Sequence, residues 1–174
     1  LGSTVSTSEI QGLHYHDNGN NEQLLAVIGS TLFSYSPSSW GSALGTFATG
    51  STEQYNFAQL VDKSYFVNAT TEMQRWTGST IQAGSTFMGS TSAPSGLHFI
   101  ERHQNRIAAA RTSANPDWIY FSDILDGTNY PSASIIKVGG SDGDPIIGIK
   151  TCVEYLLFVA KEKEIWVVDT TSGV

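Results

Sequence analysis

Apolar residues come in short, dense runs along this chain rather than at helical spacing. The clearest pair is Tyr155–Ala160 and Ile165–Val168, flanking the charged knot Lys161-Glu162-Lys163-Glu164. Runs of this length, rich in aromatic and β-branched residues, predict a β-hairpin. Neither run alternates apolar with polar residues, so both faces of the hairpin are expected to be covered. The pattern recurs upstream in NRIAAARTSANPDWIYFSD (105–123), KSYFVNATTEMQRWTG (63–78) and LLAVIGSTLFSYS (24–36). Turns are expected at Ser113-Ala114-Asn115-Pro116 and Gly29-Ser30. Start points at 24, 63, 105 and 155 give spacings of 39, 42 and 50 residues. Each second strand carries a large apolar residue: Phe33, Trp76, Trp118 and Trp166.

A further apolar segment precedes each hairpin: Ile10–Tyr15, Tyr55–Leu60, Leu97–Ile100 and Ile146–Ile149. A less apolar one follows the first three: Ala43–Ala48, Thr80–Met88 and Ala133–Val138. Three firm strands and a weaker fourth, repeating every ~40–50 residues, are the signature of β-propeller blades. The expected fold is all-β and β-propeller-like, a single domain over 1–174. Its four antiparallel blades are expected near 10–50, 51–91, 95–140 and 144–174, with a β-sandwich as the alternative. Repetition follows from burial, since one small sheet of this composition cannot cover both of its faces and stacked neighbours can. Ala108-Ala109-Ala110 suits a crowded inner strand. The last unit lacks a fourth strand, so either the N-terminal segment supplies it or the four blades belong to a larger propeller. An edge left open there would be a docking site or an aggregation hazard.

Charge narrows the function. A net charge of −7 and a pI near 4.9 argue against general nucleic-acid binding, which needs a basic footprint. Arg102, Arg106 and Arg111 fall close together and read as sheet-edge or interface residues. No apolar stretch reaches membrane-helix length, and the first ten residues lack the features of a signal peptide. The absence of an initiator Met leads us to expect a fragment or processed product. The single cysteine, Cys152, excludes an intramolecular disulfide and any multi-cysteine zinc site. Its apolar neighbours predict a small buried residue.

The order GLHYH (12–16), LLAVIGSTLFSY (24–35), YNFAQLVDKSYFVN (55–68), RHQNRIAAARTSANPDWIYFSD (102–123), IIKVGGSDGDPIIGIKT (135–151) and YLLFVAKEKEIWVV (155–168) resembles a family of tailed-bacteriophage virion proteins. These are β-propeller-like proteins of the tail or neck. The resemblance spans nearly the whole chain and is clearest over 97–168. Its motifs are turns and blade strands. It implies virion architecture built on protein–protein contacts with other virion or tail proteins, assembly as a homo-oligomeric ring, and location in the virion after synthesis in the bacterial host cytoplasm. A fold alone implies no function. The second expectation is therefore a carbohydrate-binding propeller for host-receptor recognition, and the third a hydrolase.

Candidate chemistry is sparse, and no enzymatic activity or obligatory cofactor is expected. Gly139-Gly140-Ser141-Asp142-Gly143 fits the G-x-S-x-G pattern of a nucleophile elbow, which needs a strand before it and a helix after it. Asp144-Pro145 and an apolar segment follow instead, so a Gly-rich turn between blades explains it. Pairing of Ser141 with His14, His98 or His103 would revive a hydrolase. Asp142 and Asp144 have the spacing of calcium-loop carboxylates without the remaining ligands, leaving Ca2+ as a candidate ion and turn-fixing hydrogen bonds as the ordinary role. Asp17-Asn18-Gly19-Asn20-Asn21 is expected to be a blade turn. His14 and His16 alternate, which on a strand puts both on one face as a candidate metal pair. Gly96-Leu97-His98-Phe99 matches Gly12-Leu13-His14-Tyr15, which points to a recurring structural polar position. Trp40 and Tyr130, with Tyr35, are the candidates for a sugar-stacking platform, against core packing as the ordinary role.

Overall fold

The computed structural model describes residues 8–36, 39–46, 53–140 and 143–173. Its strands form four antiparallel sheets, each built from consecutive chain, so the fold is all-β and propeller-like. Blade 1 holds β1 (Ile10–Asp17), β2 (Glu22–Ile28), β3 (Thr31–Ser36), and the short β4 (Ser39–Trp40) and β5 (Gly45–Thr46), both paired to β3. Blade 2 holds β6 (Asn56–Leu60), β7 (Lys63–Val67), β8 (Gln74–Trp76) and β9 (Ile81–Ala83), followed by a single helical turn, α1 (Gly84–Phe87). Blade 3 is β10 (Phe99–His103), β11 (Arg106–Ala110), β12 (Trp118–Phe121) and β13 (Ile135–Lys137). Blade 4 is β14 (Ile146–Val153), β15 (Leu156–Lys161) and β16 (Ile165–Asp169), a three-stranded sheet.

The hairpins turn where the local chemistry demands. Gly29 and Ser30 both have positive φ, 55° and 65°, as a two-residue turn matched to strand twist requires. Gln104 and Asn105 do the same between β10 and β11. The first strand of each blade meets that of the next, β1 against β6, β6 against β10 and β10 against β14.

Between the blades lie three apolar layers. Leu25, Val27 and Leu32 of blade 1 meet Phe66 and Trp76 of blade 2. Ala58, Leu60, Tyr65 and Val67 meet Ile107, Ala109 and Tyr120 of blade 3. Ala108, Ala110, Ile119 and Phe121 meet Ile146, Leu157 and Val159 of blade 4. The alanine run lies at 0% exposure with alternate members in different layers, so its small side chains allow blades to approach on both sides. Arg111 spans the last seam, its Nη1 donating to Ile146 O at 3.1 Å.

Two expectations are corrected. Cys152 is exposed, because the alternation that turns Ile149 and Thr151 toward blade 3 puts it on the other side of the strand. The Tyr155–Val168 hairpin is covered on one face, not both. Leu157 and Val159 are buried, whereas Phe158, Ile165 and Val167 are exposed.

Candidate functional site

Blade 4 carries an open apolar face. Phe158 pairs across the strands with Val167, and Ala160 with Ile165; period-two alternation puts all four on the side away from blade 3. Val153, opposite Leu156, extends the same face. Across its large side chains Phe158, Val167, Val153 and Ile165, exposure runs from 36% at Phe158 to 76% at Ile165. At the other end of the stack, blade 1 turns Leu13, Tyr15, Leu24 and Tyr35 outward, with Leu13 at 56% and Tyr15 at 54%. Contiguous apolar surface of this kind marks an interaction site rather than scattered exposure.

The histidines occupy the seams. His14 and His16 share the face of β1 that meets blade 2, and both reach one hydroxyl, Ser64 Oγ, at 2.9 and 2.8 Å. A hydroxyl that donates to one neutral ring and accepts from the other satisfies this arrangement. His14 also lies flat on Phe57, 5.2 Å between ring centres. Burial lowers both rings, with His14 brought from 6.5 to about 4 by burial and by the charge of His16. Gln59 closes the seam by accepting from Asp17 N at 3.0 Å and donating to Asp17 O.

Register, rather than the GLH motif, identifies the equivalent position in blade 3. Leu25 and Ala108 both face the following blade, and counting along the hairpins aligns His16 with His103, not His14 with His98. His103 Nδ1 lies 3.1 Å from Thr151 Oγ1, and Nε2 lies 2.8 Å from Thr170 Oγ1. Thr151 in turn donates to Arg102 O at 2.8 Å. The recurring role is an imidazole bridging two blades.

The remaining candidates do not converge. Asp142 and Ser141 lie outside the described residues. Asp144 accepts from Lys163 N at 3.2 Å, tying the loop before β14 to the charged knot. A strand, β14, follows Gly143 after two residues, so the helix an elbow requires is missing. Among the described residues no three His, Cys, Asp or Glu side chains cluster as metal ligands, and no helix is long and apolar enough to cross a membrane.

Trp40 is half-buried at the edge of blade 1, meeting Tyr35 edge-on at 5.4 Å. Tyr130 is buried between blades 2 and 3, its hydroxyl 3.5 Å from Met73 Sδ, and burial pushes it well above its ordinary value. The two do not share a platform. Tyr130 instead floors a cleft of ≈ 860 Å³ lined also by Glu72, Asn115, Trp118 and Tyr120.

No family model and no curated protein matches the chain. Solved structures do. The designed protein Ika8 superposes with a TM-score of 0.62 at 13% identity, covering 94% of this chain and 46% of its own. The designed Ika4 gives 0.60 at 10%, covering 97% and 99%. BBS1N, solved in complex with ARL6DN, gives 0.64 at 9%, covering 96% and 50%. The chain thus spans about half the length of Ika8 and BBS1N and nearly all of Ika4. At these identities the likeness is one of fold alone.

Sequence reasoning missed Ser64, Thr151 and Thr170, because a hydroxyl residue in or beside a strand carries no signal of what it faces. The open face did have a signal: the unalternating apolar pattern of Tyr155–Val168.

Proposed function

We propose that the chain is a structural component of a tailed-bacteriophage virion, in the tail or neck, that acts through protein–protein contacts. The observation that supports this is the apolar face of blade 4, where Phe158, Ile165 and Val167 stand exposed on a paired sheet. An exposed sheet face of this composition marks a surface for protein contact. The motif order, which resembles that of phage tail and neck proteins, supplies the virion context. Immunogold labelling of purified particles tests the reading. Labelling at the tail or neck is expected, and absence of the protein from particles overturns it.

A second reading has its own support. The cleft floored by Tyr130 combines aromatic rings, the Glu72 carboxylate and the Asn115 amide, a mixture suited to sugar hydroxyls and ring faces. Carbohydrate binding predicts glycan-array signals that fall when Glu72 is replaced by Gln. A blank array rejects it.

A further inference from the structure

We infer that two copies of this chain associate head to tail, the open face of blade 4 in each seating on the open face of blade 1 in the other, closing a ring with two identical seams. The inference rests on the reading of the chain as an assembly module and names its first partner.

Register carries the argument. In the seam between blades 3 and 4, Ala110 stands opposite Ile119 and Ala108 opposite Phe121, and these four pack against Leu157 and Val159. One blade later Ala160 stands opposite Ile165 and Phe158 opposite Val167, in the same order on the same side. The exposed face of blade 4 is therefore the surface that meets a following blade. Blade 4 itself receives blade 3 on the opposite side, through Leu157, Val159 and Val168. The side of blade 1 that would receive a preceding blade is the one carrying Leu13, Tyr15, Leu24 and Tyr35. The two ends are the two halves of one kind of seam, and both are apolar.

Among the described residues these halves do not join, since both stay exposed and the first strands meet only in series among the principal contacts. A head-to-tail contact gives a closed ring if the rotation closes and a filament if it does not. The lengths of like folds favour closure by two. The four blades overlie 46% of Ika8 and 50% of BBS1N, chains that hold about what two copies supply. A partner of unrelated fold would account for one face; a second copy accounts for both with a single type of contact.

Light scattering on the eluted 174-residue protein measures the mass directly. Wild type is expected at twice 18.7 kDa. A blade 4 variant, Phe158→Glu with Val167→Glu, and a blade 1 variant, Leu13→Glu with Tyr15→Glu, are each expected at the single mass, because each breaks both seams. Circular dichroism checks that these surface substitutions leave the fold intact. An equimolar mixture of the two is expected to recover the double mass, since one seam then joins two unaltered faces. A wild type of single mass across a dilution series overturns the inference, as does a blade 1 variant that still pairs alone, which would mean blade 4 binds blade 4. A monomer that is nevertheless present in virions rejects the second copy and leaves the virion reading standing. A dimer absent from virions does the reverse.

Discussion

Ser64 Oγ in blade 2 lies 2.8 Å from His16 Nδ1 in blade 1, and both residues are at 0% exposure. The same hydroxyl holds His14 at 2.9 Å. Ser64→Ala removes the shared partner and leaves ring nitrogens facing a dry seam. Leaving a buried polar group unsatisfied costs about 1–3 kcal/mol. In a domain of this size each kcal/mol lowers the melting temperature by roughly 2–4 °C. Calorimetry of the variant is expected to show that loss with the strand content kept. An unchanged melting point would mean the seam does not depend on this contact.

Stability is expected to fall as pH drops through the histidine range. His14 is held at about 4 against an ordinary 6.5, by burial first and the His16 charge second. His16, His98 and His103 are lowered too, each chiefly by burial. Between the two values the unfolded chain binds more protons than the folded one, so acid favours unfolding. The contribution is whole above pH 6.5 and is lost as pH falls through the folded values. For His14 the span corresponds to on the order of 3 kcal/mol. Urea midpoints at about pH 7.5 and about pH 4.5 measure the difference, which His14→Asn is expected to shrink. Equal midpoints would contradict the burial of these rings.

Val61 holds φ at 56° in the two-residue loop between Leu60 and Lys63, with its side chain exposed. A β-branched residue in the left-handed region is strained by roughly 1–2 kcal/mol, and asparagine tolerates that region better. The Gln59 bond to Val61 O uses the backbone and survives substitution. Val61→Asn is expected to raise stability by about 1 kcal/mol, read from a denaturant midpoint with unchanged slope. A decrease would show that Val61 makes an apolar contact worth more than the strain.

Blades and hairpins were legible because period, turn chemistry and strand composition are local. The Gly29-Ser30 turn, the alanine run and the three strands of the last unit all follow from residues near one another in sequence. Thr80–Met88 was only half legible as a strand. After Ala83 the chain makes one helical turn, with the Glu72 carboxylate accepting from Ser85 N at 2.6 Å, a partner thirteen positions away. The recurring histidine was misplaced for a related reason. Four residues separate Asp17 from Glu22 in blade 1, whereas two separate His103 from Arg106 in blade 3, so matching motifs slide out of matching positions. Cys152 escaped because its apolar neighbours do not say which face of the strand it takes.

The end of β16 is anchored by Thr170, which is 1% exposed. Its Oγ1 donates to Tyr155 O at 3.0 Å and lies 2.8 Å from His103 Nε2, while its N–H donates to the same Tyr155 carbonyl at 2.9 Å. One hydroxyl therefore ties the last strand of blade 4 to its own hairpin and to blade 3. Thr170→Val keeps shape and backbone bond but leaves the imidazole nitrogen and part of a carbonyl without a partner, at about 1–3 kcal/mol. Thr170→Ser keeps the hydroxyl and loses one methyl, about 1 kcal/mol of burial. If the hydroxyl is what matters, Ser is the milder change and hydrogen exchange quickens across β16 in Val alone. If Ser is the more harmful of the two, the methyl packing holds blade 4 in place and the His103 bridge contributes nothing measurable.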